Sequence, residues 1–359
     1  MTRVVRAAFL LALAMAASAG SARAQAGWGL GAVNGEVYFT DLTRGRVVKL
    51  DPAGRLHVLI EDIHCHNLAP GYDGRIYGEA VGANRGGAGD AVAVWSLTAS
   101  GERTWAMPPT AQPGAGVWIA RDAEGNAYAW QGEEGRTSRI VKRSPAGGVT
   151  VLAGGAWGHA DGRSAEAQFG FVGGLAVTRA GVVYVADSGH LRRIGADGAV
   201  DTLARDAVSL RTGGLPGRAD LFNHSMGVAV GDDETVYVAD HYNLRVVRWD
   251  RGRGAAVIWS GADWLSQLTD GGIGWYPGGV AADGADVYLL EVLRVPGLVA
   301  DVVGSPRIRR YSPDGSSLVV AVVASTPLRL GVAAAFAAAI VGLVLLLRRR
   351  GYRRMGMTT

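Results

Sequence analysis

The sequence predicts an all-β fold, a six-bladed β-propeller, and three observations carry that prediction. A module recurs six times, each copy holding an apolar strand marked by a tyrosine: Tyr38, Tyr77, Tyr128, Tyr184, Tyr237 and Tyr288. These tyrosines lie 39, 51, 56, 53 and 51 residues apart. Between them stand short β-branched runs punctuated by Gly, Asp and Asn, with no long amphipathic helical pattern. A period of about 50 residues made of short strands is the mark of a closed array of small sheets.

Each element then follows from the module. In the fifth copy, 227–230 reads as the innermost strand, 235–240 as the second, 245–249 as the third and 255–259 as the outer one. The fourth copy repeats the scheme over 174–177, 182–187, 191–194 and 199–203. After every marker comes a basic or apolar strand and a glycine turn, as at 46–54, 139–147 and 307–315. An acid stands three positions after the marker in four copies: Asp41, Asp187, Asp240 and Glu291. An arginine follows five positions later in three of them: Arg46, Arg192 and Arg245. The intervening turn brings acid and base together, so they are expected to pair or to cap loop amides. A feature repeated from blade to blade shapes the blade and does not perform one reaction. Copies two and three carry Ala80 and Gln131 instead of the acid, and inserts near 81–90 and 292–305 mark loops where specificity can reside.

The two ends read differently from the propeller, which is assigned to 27–324. Residues 1–24 have a secretory signal's anatomy: Arg3 and Arg6, an apolar stretch over 7–17, and the cleavage box Ala22-Arg23-Ala24. Residues 330–347 form an uncharged run that would span roughly 27 Å as a helix, enough to cross a bilayer. Arg348, Arg349, Arg350, Arg353 and Arg354 follow in the basic tail 348–359. By the positive-inside rule this tail is cytoplasmic and the propeller periplasmic or extracellular. No LPxTG, Pro-Glu-Pro or Gly-Gly box precedes the apolar run, so permanent anchoring is expected rather than processing.

Composition bounds the chemistry. Only Lys49 and Lys142 are lysines among 36 basic residues, a bias that, with abundant Ala and Gly, points to a GC-rich bacterial genome. The sequence pI of about 9.3 owes much to the arginine tail, and export removes nucleic acid as a partner. Cys65 is the single cysteine, so no intramolecular disulfide forms and a small buried hydrophobe is expected there.

The stretch 183–194, VYVADSGHLRRI, resembles the strand–Asp–turn–Arg-Ile segment of the NHL-repeat β-propellers. Residues 152–177, with Leu152-Ala153-Gly154, Asp161-Gly162, Phe169 and Gly174-Leu175-Ala176-Val177, are similar to that family's inter-blade linker, as is 221–230. The likeness is specific over 150–260 and weaker elsewhere. It implies six blades around a central channel. It implies no single activity, because the family includes protein-binding, RNA-binding and enzymatic members.

Candidate site residues follow from chemistry and from that resemblance. His66 and His224 stand just before innermost strands and His159 in a linker; the amidating lyases of this fold have histidines from separate blades that bind zinc. No third histidine shares the register of His66, and a histidine satisfying a loop carbonyl is the commoner case, so the structural role is preferred. The lactonase-type propellers hold a divalent cation, such as calcium, in the channel. Asp240, Asn243, Asp187 and Glu291 have the right oxygen chemistry but sit at the ends of second strands. Trp157, Trp264 and Trp275 read as linker residues, suited either to stacking on a sugar or protein partner or to wedging between blades. The sequence holds no nucleophile elbow, phosphate loop or HExxH. The reading is a membrane-anchored module that binds a protein, peptide or glycan and needs no cofactor. The alternatives are a zinc- or calcium-dependent lyase or hydrolase, and a structural part of an envelope complex.

Overall fold

The computed structural model describes residues 29–41, 44–63, 65, 67–81, 92–110, 119–133, 135–205, 225–241, 243–261, 274–294, 306–312 and 315–322. The signal segment 1–24, the apolar run 330–347, the tail 348–359, His66, His224 and Trp264 lie outside them. Among the described residues no helix is long and apolar enough to cross a membrane.

Six antiparallel sheets follow one another along the chain. Blade one holds β1 (Leu30–Val33), β2 (Glu36–Asp41), β3 (Arg46–Leu50) and β4 (Leu56–Ile60). Blade two holds β5 (Leu68–Pro70), β6 (Ile76–Val81), β7 (Val92–Leu97) and β8 (Arg103–Thr110). Blade three comprises β9 (Ala120–Arg121), β10 (Ala127–Glu133), β11 (Thr137–Arg143) and β12 (Val149–Ala156). Blade four has β14 (Val172–Val177), β15 (Val183–Asp187), β16 (His190–Ile194) and β17 (Ala199–Arg205), with β13 (Gly162–Arg163) added outside β17. Blade five is β18 (Ser225–Val230), β19 (Val236–Asp240), β20 (Arg245–Asp250) and β21 (Gly254–Ser260). Blade six is β22 (Gly274–Asp283), β23 (Asp286–Arg294), β24 (Arg307–Tyr311) and β25 (Ser317–Val322).

The first strand of each blade lies innermost, and the order β1, β5, β9, β14, β18, β22 returns to β1. The ring therefore closes, and among the described residues it closes without exchanging a strand. Glycines allow the inner strands to crowd. A Cβ on Gly227 would come within 3.2 Å of the Val280 backbone nitrogen, and one on Gly174 within 3.4 Å of that of Val228.

Strand alternation explains the core. Successive side chains point to opposite faces of a sheet, so each blade feeds two interfaces. Tyr38 packs with Ile76 and Trp95 of blade two, while Val37 and Phe39 pack with Leu290 and Ile308 of blade six. Tyr184 likewise joins Val236 and Val238, while Val183 and Val185 join Ile140 and Ala153. Each pair of adjacent blades shares such an apolar cluster, and the marker tyrosines are its large members.

The linker into blade four takes an outer route. From β12 it bridges Trp157 to Phe169, lays β13 along β17 and turns through a short 3-10 segment, Ser164–Glu166. Blade six departs from expectation at its hairpin. The pairing of β22 with β23 runs from Gly274↔Arg294 to Asp283↔Asp286, so the second strand extends past Val292 and the insert starts only after Arg294.

Candidate functional site

The inner strands enclose a channel of about 670 Å³. Its wall mixes apolar side chains, Leu30, Ala69, Leu175 and Val228 among them, with polar ones that include Asn67 and Arg121. Polar groups collect at the two mouths.

At the mouth formed by the turns from first to second strands stand Asn34, Tyr72, Arg179, Asp232 and Asp283. The Arg179 guanidinium lies 4.7 Å over the Tyr72 ring, and the Tyr72 hydroxyl donates to the Val177 carbonyl at 3.0 Å. Marker tyrosines reach carboxylates here: Tyr38 to Glu36 (2.6 Å), Tyr77 to Asp73 (2.7 Å) and Tyr128 to Asp122 (2.8 Å). Burial, then these neighbouring carboxylates, pushes the phenols of Tyr38, Tyr77 and Tyr128 up, that of Tyr77 to about 12. A neutral phenol keeps its proton for the carboxylate and avoids a buried charge.

The opposite mouth carries the acid–arginine pairs. Asp41 binds Arg46, Asp187 binds Arg192 and Asp240 binds Arg245, each at 2.8 Å. Glu291 binds Arg309 at 2.7 Å and also Arg307. All four acids are buried. Burial raises the Asp240 carboxyl despite Arg245 and the two hydrogen bonds from Asn243. Asp187 also caps the Gly170 amide at 2.8 Å. The expected pairing and capping are therefore both present. These pairs sit within the blades, so Asp187, Asp240, Asn243 and Glu291 do not line the channel. Their oxygens already answer to arginines and amides of their own blades.

Of the histidine and tryptophan candidates, His159, Trp157 and Trp275 fall among the described residues. His159 is partly exposed, with Nδ1 3.4 Å from Asp187 Oδ2. Among the described residues no group of three or more His, Cys, Asp or Glu is arranged to hold a metal ion. Trp157 stays in the linker, half-buried. Trp275 does not: it lies within β22 opposite Leu293, under the Arg307 guanidinium at 3.6 Å. The extended hairpin of blade six claims it.

Several groups at this mouth escape sequence reading. Trp130 and Phe171 meet edge to face with ring centres 5.8 Å apart. Trp130 lines the channel and donates its indole N–H to Ser138, while Phe171 is 41 % exposed. The Phe171 amide donates to the Ser188 hydroxyl at 2.7 Å, and the Ser188 amide donates to the Phe171 carbonyl at 3.0 Å. His241 is buried, with Nδ1 donating to the Pro277 carbonyl at 2.9 Å. Blade two keeps a buried acid one position early: Glu79 accepts from Asn67 at 2.8 Å. Its charge adds to burial in pushing the thiol of buried Cys65 up. The position of Phe171, directly ahead of an innermost strand, is the one signal in the sequence that marks this cluster.

Ring, channel and paired acids define the chain as a six-bladed β-propeller. No family model matches it, and no curated protein matches it. Solved structures do. A streptogramin B lyase is 15 % identical at a TM-score of 0.48, with 86 % of each chain covered. A protein of unknown function from Bacteroides thetaiotaomicron is 16 % identical at 0.49, covering 75 % of this chain and 68 % of its own. The calcium-binding protein regucalcin from Agrobacterium tumefaciens is 14 % identical at 0.46, covering 76 % and 82 %. At such identities the likeness is one of fold.

Proposed function

We propose that this propeller is a binding module whose protein, peptide or glycan ligand seats at the channel mouth that carries the acid–arginine pairs. The observation behind this reading is the Trp130–Phe171 pair. An exposed aromatic whose backbone is tied on both sides to Ser188 loses little freedom on binding. Aromatic faces of this kind stack on sugar rings or anchor a peptide side chain. The apolar side chains of the channel wall beneath, such as Leu30, Leu175 and Val228, give a seated ligand a surface to bury. Full-length protein screened against glycan and peptide arrays tests the idea. Phe171→Ala and Trp130→Ala should each weaken the best ligand at least tenfold while thermal stability changes little for Phe171→Ala. Undiminished binding by both variants would refute it.

A second reading, a metal-dependent lyase or hydrolase, draws on Glu79 and Asn67 near the same mouth, together with the sequence candidates His66 and His224. Metal analysis of the purified protein and of a His66→Ala/His224→Ala variant tests it; equal metal content and activity in both would end it. We further infer that the propeller is exported and held by the 330–347 segment with 348–359 in the cytoplasm. Protease digestion of spheroplasts, cleaving the propeller and sparing the tail, checks that orientation.

A further inference from the structure

We propose that His159 and His190 form a binding site for a divalent transition-metal ion, zinc being the reference case, on the outer rim of blade four. The site uses neither His66 nor His224, and it stands independently of the ligand-binding reading.

The fold brings the two rings together from different elements. His190 opens β16 directly after the Ser188-Gly189 turn, whereas His159 arrives on the linker that wraps from blade three. Their ring centres are 5.1 Å apart, with ring planes inclined by 32°. Two imidazoles that share a tetrahedral ion at a metal–nitrogen distance of about 2.0 Å hold their ring centres about 5 Å apart. The pair already has that separation.

Asp187 orients both rings. His159 Nδ1 faces Asp187 Oδ2 at 3.4 Å, and His190 Nδ1 faces the Asp187 carbonyl oxygen at 3.3 Å. Both oxygens only accept, so in the neutral tautomer of each ring the proton sits on Nδ1 and the lone pair on Nε2. Neither Nε2 has a hydrogen bond to any described residue. Metal-bound histidines are oriented in this way, with the distal nitrogen donating to a carboxylate or carbonyl.

The orienting acid is fixed in advance. Asp187 is held by Arg192 at 2.8 Å and by the Gly170 amide at 2.8 Å. Arg192 is turned inward onto Asp187 and Asp161, which offset its charge. Gly170 makes the room: a Cβ there would lie 2.5 Å from His159 Cε1, 3.0 Å from its Nε2 and 2.5 Å from Ser188 Oγ. The hydroxyl of Ser188 thus borders the same space. With two protein nitrogens, the remaining coordination positions go to water or to an incoming ligand atom.

Calorimetric titration of the full-length protein with Zn²⁺ alone tests the proposal. The expected result is a zinc ion bound in the micromolar range or tighter, with its affinity lowered at least tenfold in His159→Ala and in His190→Gln. His57→Ala, which removes the exposed histidine beside Asp51, should leave that ion in place. Both test positions are partly exposed, so each variant's melting temperature should match the parent's and separate lost binding from lost folding. Absence of micromolar zinc binding in the parent, or unchanged stoichiometry and affinity in both variants, overturns the assignment.

Discussion

Arg192 and Asp187 face each other at 2.8 Å with both side chains withdrawn from solvent. The same guanidinium reaches Asp161 at 2.9 Å and the carbonyls of Ala160 and Gln168, and it lies over the Phe169 ring. It therefore rivets the 157–171 linker to blade four. Removing one partner of a buried pair leaves an uncompensated charge, which costs about 3–5 kcal/mol. Arg192→Ala should lower unfolding stability by that order in urea titrations. Arg192→Lys should restore little of it, because one ammonium cannot reproduce the planar fork.

Alkali should open the ring cooperatively. Burial raises the phenols of all six marker tyrosines, including Tyr184, Tyr237 and Tyr288. Their folded values exceed the unfolded value of about 10, so their contribution is intact below pH ~10 and is lost as pH rises through the folded values. Tyrosinate absorbance and loss of β circular dichroism should appear together in one step above pH ~10. Early, separate titration of these tyrosines in a folded protein would contradict the burial argument.

Asp161 predicts the behaviour in acid. Burial alone would raise its carboxyl, but hydrogen bonds from Thr202 and the charge and hydrogen bond of Arg192 together hold it below the usual range. A depressed folded value adds stability above the unfolded value of about 3.9, which is lost as pH falls through the folded one. Urea midpoints of Asp161→Asn should lie below the parent's at pH 7 and converge on them below pH ~4. Parallel curves across that range would dismiss the linkage.

Gly78 should resist substitution. A Cβ there would overlap the indole of Trp95, which lies directly opposite in β7, is fully buried and donates to the Glu79 carbonyl. Overpacking of a filled core costs about 1–3 kcal/mol. Gly78→Ala should reach or exceed that loss in thermal melts, with the tryptophan fluorescence of the folded state altered.

The blade count and the marker tyrosines were legible because strand alternation and turn residues are local signals. The acid–arginine pairs were legible for the same reason: one hairpin joins both partners. Trp275 was read as linker because Pro277-Gly278-Gly279 looks like a strand break. The chain instead absorbs these residues in a bulge between Pro277 and Gly279 and continues as strand on both sides. Blade two matched the repeat poorly because Gly78 replaces the apolar residue that follows the marker elsewhere: Phe39, Ala129, Val185, Val238 and Leu289. Trp95 fills that volume from the neighbouring strand. The His159–His190 and Trp130–Phe171 contacts were illegible because each depends on the path of the linker between blades three and four.

Blade one and blade six touch through packed side chains and one Gly35–Asp283 hydrogen bond spanning 248 positions. Every other joint links consecutive stretches of chain, so only this last one demands a distant encounter. The chain can therefore stack five wedges in sequence order, yet its first wedge keeps Leu30 and Phe39 bare until the sixth arrives. For that interval the molecule is an open horseshoe with a sticky end, and its safe passage rests on how quickly blade six, from β22 to β25, joins the stack.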